Sequence, residues 1–153
     1  MSRRASLTIP SPVGPLTVTE VDGKITQLGW DGDGTDETPV LRAAADQLDD
    51  YFTGQRQSFD LPLAPQVSPT QRRFLDALSA IPYGETRTYG DLARALNMSP
   101  QAAGQACGAN PIPILIPCHR VLAAEGLGGF SAPGGIETKV ALLRLEGAAS
   151  LLL

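Results

Sequence analysis

Two thiols and one imidazole are the groups of this 153-residue chain best suited to nucleophilic chemistry. Cys118 and His119 stand side by side in Ile-Pro-Cys-His-Arg-Val, residues 116–121, followed by Arg120, and His119 is the only histidine. A thiol attacks only as its thiolate, and at an ordinary pKa of about 8.5 only a few per cent is ionised at neutral pH. It therefore needs a base or a positive field, and His119 and Arg120 could supply one each. If the run is extended, neighbouring side chains point to opposite faces, so His119 would reach Cys118 through a bridging water. The plain alternative is an inert buried cysteine beside a surface histidine, the usual outcome for an arbitrary Cys-His pair.

Composition removes several other chemistries. Two cysteines cannot frame a disulfide-stapled fold of this size, and one histidine beside one of them leaves too few soft ligands for a zinc site, so no metal is expected. The chain is 42% hydrophobic and 18% charged. It has no apolar run near the roughly 20 residues that cross a bilayer, so no membrane association is expected. The N-terminal Met-Ser-Arg-Arg lacks the apolar stretch of a secretory signal, and a cytoplasmic address follows as the expectation. A net charge of -4 opposes a bulk electrostatic grip on nucleic acid. The acidity is uneven: residues 1–68 hold 5 Lys+Arg against 10 Asp+Glu, whereas residues 69–120 hold 5 against 3. The middle of the chain is permissive for a DNA surface without itself indicating one.

The elements that must position Cys118 can be read from turn and cap chemistry. Leu7–Ile9, Leu16–Thr19 and Lys24–Trp30 read as strands, with Asp22-Gly23 the stronger hairpin signal. Residues 40–52 carry Leu41, Ala44, Leu48 and Phe52 at helical spacing, and Gly54 follows as a stop. Residues 1–67 are thus expected to form a small strand and helix lobe with a linker. From Ser68 the pattern turns helical and continues so through residues 68–153, giving an α+β chain. Ser68-Pro69 caps a helix buried through Phe74, Leu75, Leu78 and Ile81, a short helix follows from Tyr89 to about Leu96, and Ser99-Pro100 caps another. The last two read as a helix-turn-helix. Its second helix is almost bare, with Ala102, Ala103, Gly104, Ala106 and Gly108, although each glycine there costs about 1 kcal/mol. Either something comes close to that backbone or the helix packs tightly against a neighbour. The run Asn-Pro-Ile-Pro-Ile-Leu-Ile-Pro, residues 110–117, reads as a buried extended segment or edge strand. A glycine-rich loop around Phe130 and Ser131 then leads into a closing helix over residues 136–147.

Four motifs in order overturn the plain reading of Cys118. These are Ile-Pro-Tyr-Gly-Glu-Thr-Arg-Thr-Tyr-Gly-Asp-Leu-Ala at 81–93, the Asn-Pro-Ile-Pro-Ile-Leu-Ile-Pro-Cys-His-Arg-Val run at 110–121, Gly-Gly-Phe-Ser at 128–131, and Leu-Leu-Arg-Leu-Glu-Gly at 142–147. Together they closely resemble the O6-alkylguanine-DNA alkyltransferase family, strongly over about residues 68–148 and more weakly over the N-terminal strands. The resemblance implies an RNase H-like N-terminal lobe and a helical C-terminal domain with a winged or helix-turn-helix DNA-binding motif. It implies direct-reversal DNA repair, in which the damaged base is flipped from the duplex because its O6 cannot be reached while stacked. Cys118 would accept the alkyl group irreversibly, once per molecule; O4-alkylthymine stays open as a further substrate. His119 would deprotonate Cys118 through a water, and Glu146 would orient His119.

The same resemblance assigns Tyr89 to the flipped base, the backbones of Val121 and Ser131 to the guanine edge, and Asn110 to tying the recognition helix to the active-site segment. It places Gln101, Ala102, Ala103 and Gly104 in the minor groove, where a slim helix permits close approach with little base reading, and it leaves Arg120 to position phosphate. No cofactor and no obligate protein partner are implied, and a monomer acting on double-stranded DNA with alkylated guanine is expected. Gln101 departs from the pattern, since the family usually has an arginine there to fill the gap left by the flipped base. Phe130 stands where some members have tyrosine. Cys107 reads as a helix-packing residue, Tyr83 as part of a helix stop, and Arg87 as either a phosphate contact or a solvated side chain. The alternative is an alkyltransferase-like protein that binds damaged DNA without transfer; such relatives replace the acceptor cysteine, which this chain retains.

Overall fold

The turn at Asp22-Gly23 places both residues at positive φ, 52° and 85°, the geometry whose twist matches a two-residue hairpin. It joins strand β2 (Leu16–Val21) to β3 (Lys24–Gly29), and β1 (Arg4–Ile9) pairs with the other edge of β2, giving an antiparallel sheet of order β1-β2-β3. Register runs Arg4 opposite Val21 to Ile9 opposite Leu16, and a bulge at Thr19/Glu20 interrupts the second pairing. The computed structural model describes residues 3–123, 126–130 and 132–148. They divide into two compact units, residues 1–66 and 67–153.

Helix α1 (Pro39–Phe52) completes the first unit. Thr38 caps it, its Oγ1 accepting from the Leu41 N–H at 3.3 Å, and Pro39 opens it with a φ already suited to the helix. Its buried face is Leu41, Ala44, Ala45, Leu48 and Tyr51, laid on β2 and β1, and the sheet buries Leu16 and Val18 of β2 and Ile25 and Leu28 of β3. Each large aliphatic side chain so buried contributes about 1.5–3 kcal/mol. The sequence expectation put Phe52 on this face. The structure buries Tyr51 fully and leaves Phe52 half-buried at the last residue of the helix, so the inward face is completed by Tyr51.

In the second unit three serine or threonine caps set the helix starts. Ser68 caps α2 (Pro69–Ser79), Thr88 caps α3 (Tyr89–Leu96) in a reciprocal box with Asp91, and Ser99 caps α4 (Pro100–Gly108). Asn97, left-handed at φ 57°, ends α3 and turns the chain into α4. α2, α3 and α4 pack on one another through Phe74, Leu75, Leu78, Leu92, Ala93 and Ala103. Two two-residue strands, β4 (Arg87–Thr88) and β5 (Val121–Leu122), pair in parallel. This pairing ties the residues after Cys118 to the strand that leads into α3. Helix α5 (Ile136–Leu145) packs on the turn at Cys118–Arg120. Among the described residues no helix is long and apolar enough to cross a membrane.

Candidate active site

The segment that carries Cys118 is folded on itself. Asn110 clamps it from within: its Nδ2 donates to the Ile116 carbonyl at 2.9 Å, and its Oδ1 accepts from the Ile112 N–H at 3.0 Å. The Leu115 N–H reaches the Pro113 carbonyl at 2.9 Å across Ile114, which sits at φ 72°, a γ-turn of the rare and strained hand. The Ile116 N–H closes on the Ile112 carbonyl at 2.9 Å. The expectation of an extended or edge-strand run is therefore corrected. Pro111, Pro113 and Pro117 have no N–H to offer a ladder, and the polar backbone is satisfied by tight turns while the apolar side chains are buried.

Cys118, His119 and Arg120 form one turn of 3-10 helix, so the opposite-face argument for Cys118 and His119 does not hold. Cys118 is 6% exposed and lines a cavity of about 380 Å³, within the size range of small-molecule sites. Tyr89, Gly104, Cys107, Gly108, Asn110, Pro113, Gly129 and Phe130 complete its wall. Tyr89 is held by Gly128, at φ 73°, where a Cβ would stand 3.2 Å from the tyrosine ring. Burial, and then the neighbouring sulfurs, push the Tyr89 phenol up to about 12, so it stays a hydrogen-bond donor at neutral pH.

The two sulfurs have opposite characters. A hydrogen bond from the Cys107 thiol, reinforced by Asn110 and by the charge of Lys139, holds the Cys118 thiol below the ordinary range against the effect of burial. The Cys107 thiol is correspondingly held high and stays protonated, its one proton shared between the Cys118 sulfur and the Cys118 carbonyl, which lies 3.6 Å from the Cys107 Sγ. Cys107 thus belongs to the pocket wall, which its reading as a packing residue had missed.

Behind the sulfur lies a buried polar network. His119 Nε2 and Glu146 Oε2 are 2.7 Å apart, both side chains fully buried. Burial lowers the His119 pKa, outweighing the pull of Glu146, so the imidazole is neutral and Nε2 carries the proton toward the carboxylate. Its other nitrogen, Nδ1, is buried with no hydrogen-bond partner among the described residues, a lone pair ready to take a proton. Arg120 donates through Nε and Nη2 to the same carboxylate at 2.8 and 3.0 Å, and through Nη1 to the Ile81 carbonyl at 2.7 Å. Its guanidinium also stands over the Tyr83 ring at 5.8 Å. Lys139, wholly buried on α5, donates to the carbonyls of Val121 at 2.6 Å and Gly129 at 3.2 Å. Sequence reasoning gave Lys139 no role. The available signal was its place three residues before Leu142 and four before Leu143, on the apolar stripe of α5.

The structure thus brings Cys118, His119, Glu146, Tyr89, Asn110 and Val121 into one unit, with Gly104 on the cavity wall. Two DNA-surface expectations are corrected. Arg120 is 7% exposed and its donors are spent on Glu146 and Ile81, so it is a structural counter-ion rather than a phosphate contact. Ala103 is fully buried on the face of α4 that packs inward. Gln101 is exposed at the second residue of α4, and Ala102 is half-buried beside it. Ser131 lies outside the described residues. A Cβ built on Gly104 meets nothing within 4 Å, so tight packing does not account for that glycine.

Comparison with known proteins decides what kind of site this is. Residues 69–148 match the model of the 6-O-methylguanine DNA methyltransferase DNA-binding domain, and residues 6–65 match that of the same proteins' ribonuclease-like domain. The chain belongs to the 6-O-methylguanine DNA methyltransferase family. A methylated-DNA--protein-cysteine methyltransferase of Mycobacterium tuberculosis is 42% identical over 150 residues, covering 91% of this chain and 90% of its own. The constitutive enzyme of that name from Bacillus subtilis is 39% identical over 154 residues, covering 91% and 93%. Among solved structures, the M. tuberculosis O6-methylguanine methyltransferase in complex with DNA superposes with a TM-score of 0.82 at 39% identity, covering 92% of each chain. The α+β architecture is thus that of a methyltransferase with a ribonuclease-like domain followed by a DNA-binding domain. Its two family segments fall one in each compact unit.

Proposed function

We propose that this methyltransferase repairs DNA by moving the alkyl group of O6-alkylguanine onto Cys118, as a monomer, without a cofactor and once per molecule. The observation that carries the reading is a sulfur of lowered pKa on the wall of a base-sized cavity, followed in the same turn by a neutral histidine oriented by Glu146. The Cys118 proton passes through a water to Nδ1 of His119, and the imidazolium so formed is held by Glu146. The thiolate then attacks the alkyl carbon in line. The S–C bond forms, the C–O6 bond breaks, and the electron pair leaves on guanine, which is stabilised by the Tyr89 hydroxyl and takes back a proton. The product is a thioether, which nothing in the pocket can reverse.

The guanine reaches the cavity only by leaving the stack, and α4 is suited to the groove it leaves behind. The side chains of α4 are small, Gly104 has open space before it, and Gln101 is exposed where a side chain could fill the vacated stack. Intact-protein mass spectrometry after mixing with duplex DNA containing O6-methylguanine tests the proposal. The expected result is gain of one methyl on the Cys118 peptide, abolished in Cys118→Ala. Unchanged mass with retained binding would refute transfer and leave a damage-recognition protein.

A further inference from the structure

Cys107 is a second thiol in the acceptor pocket, and alkyl transfer makes no use of it. It stands buried in the last turn of α4, on the wall of the same cavity as Cys118, and both cysteines are free. The two residues are in direct contact. The Cys107 Sγ lies 3.6 Å from the Cys118 carbonyl oxygen, and its proton is shared between that oxygen and the Cys118 sulfur. Asn110 holds the segment between them folded, through the Ile112 N–H and the Ile116 carbonyl, so that its two ends meet at the cavity.

We propose that Cys107 and Cys118 form a reversible disulfide when the pocket meets a hydroperoxide, silencing the acceptor sulfur and shielding it from irreversible oxidation. This rests on the reading of Cys118 as the acceptor and gives the same sulfur a second chemistry. The Cys118 thiolate attacks one oxygen of the hydroperoxide. The S–O bond forms, the O–O bond breaks, and the other oxygen leaves as hydroxide or alkoxide and takes up a proton. Cys118 is thereby oxidised to a sulfenic acid. The Cys107 sulfur then attacks the Cys118 sulfur: the S–S bond forms, the S–O bond breaks, and hydroxide leaves with the Cys107 proton as water. The order of the two steps follows from the contrast between the thiols. Cys118 is the more readily ionised, and its sulfur is what chiefly holds the Cys107 proton in place. A neutral sulfenic acid no longer holds that proton, so Cys107 is released to act as the resolving thiol. Without such a neighbour the sulfenic acid goes on to sulfinic acid, which thiols do not reduce.

Both cysteines fall on one tryptic peptide, residues 95–120, so a bond between them is read directly by mass. The reduced protein is treated with hydrogen peroxide without DNA, blocked with N-ethylmaleimide under denaturing conditions and digested. The peptide should carry no maleimide, be lighter than its reduced form by a pair of hydrogens, and take a maleimide on each cysteine after dithiothreitol. Oxygen added at Cys118 with maleimide on Cys107 would overturn the proposal, as would a cross-link between two chains.

Single-turnover methyl transfer from O6-methylguanine duplex measures the consequence. Peroxide should abolish transfer, and dithiothreitol should restore most of it. In Cys107→Ser, referred to its own untreated rate, the restored fraction should fall about tenfold as Cys118 passes to sulfinic acid. Equal recovery in the two proteins would overturn the shielding. If Cys107→Ser does not fold, the peptide mass of the unsubstituted protein still decides whether the bond forms. Failure of the acceptor reading looks different: the reduced protein would then carry no methyl on Cys118 after meeting the duplex, whatever peroxide does.

Discussion

Glu146 serves two neighbours with one carboxylate, accepting from His119 Nε2 and twice from Arg120, and it is 5% exposed. Removing one member of a buried charge pair strands the other, at a cost of about 3–5 kcal/mol. Glu146→Gln should therefore lower the unfolding free energy by roughly that amount, measurable as a reduced urea midpoint. It should also slow methyl transfer in the fraction that remains folded, because His119 loses the acceptor that fixes its tautomer. Wild-type stability in Glu146→Gln would mean that Arg120 finds another partner. His119 itself gives a pH signature. Its folded pKa lies below the ordinary 6.5, so below that value the unfolded chain binds the proton first and folding is penalised. Stability should accordingly fall as pH drops through 6.5 toward the folded pKa and be insensitive to this residue above it. Urea midpoints at pH 7.5 and 5.5, compared with those of His119→Asn, check the sign: the substitution should flatten the acid-side decline.

At the scale of elements, Gly104 distinguishes packing from approach. It lies mid-helix, where glycine costs about 1 kcal/mol against alanine, and a Cβ there meets nothing within 4 Å. Gly104→Ala should thus raise the unfolding free energy by about 0.5–1 kcal/mol while weakening binding to duplex DNA, measured by fluorescence anisotropy. A stabilised variant with undiminished affinity would sink the idea that this face is kept bare for a ligand. The helices around Gly104 were legible in advance because their starts are written in short-range chemistry: Ser68, Thr88 and Ser99 at the caps, and Pro69 and Pro100 just inside them. The hairpin at Asp22-Gly23 was legible for the same reason. The parallel pair β4–β5 was not, since two residues carry no periodicity and their partners lie 34 positions apart. Nor was the turn at Ile114, because a β-branched residue at φ 72° contradicts its own local preference and is imposed by the surrounding burial. Asn110, Cys118, His119 and Glu146 came from motif resemblance. Lys139 and Cys107 were missed because a lysine on a helix and a cysteine among alanines each have a commoner explanation, and only the packed structure removes it.

For the molecule as a whole, the question is how a chain of net charge -4 holds a polyanion. The acidic excess is concentrated in residues 1–68, while residues 69–120 carry 5 Lys+Arg against 3 Asp+Glu. One of those five, Arg120, is buried on Glu146, and Arg72, Arg87 and Arg94 lie in ion pairs with Asp76, Glu85 and Asp91. Few uncommitted cations remain, so neutralised phosphates, and with them the salt dependence of binding, should be few: each phosphate contact adds about 0.9 to the slope of log affinity against log salt. On the proposed placement of α4 in the groove, backbone amides at its start and close groove contact would provide much of the grip. Gln101, exposed at that start, can stack into the space of a flipped base and hydrogen-bond the orphaned partner, but it brings no charge. Gln101→Arg should therefore tighten binding to undamaged and O6-methylguanine duplexes alike, by about tenfold for a charge contact of some 1.4 kcal/mol. At limiting protein the rate of methyl transfer should rise with it, while the rate at saturating DNA stays unchanged. Anisotropy titrations at two salt concentrations with single-turnover assays test this, and equal affinity of the two proteins at low salt would show that glutamine already supplies all that this position can give.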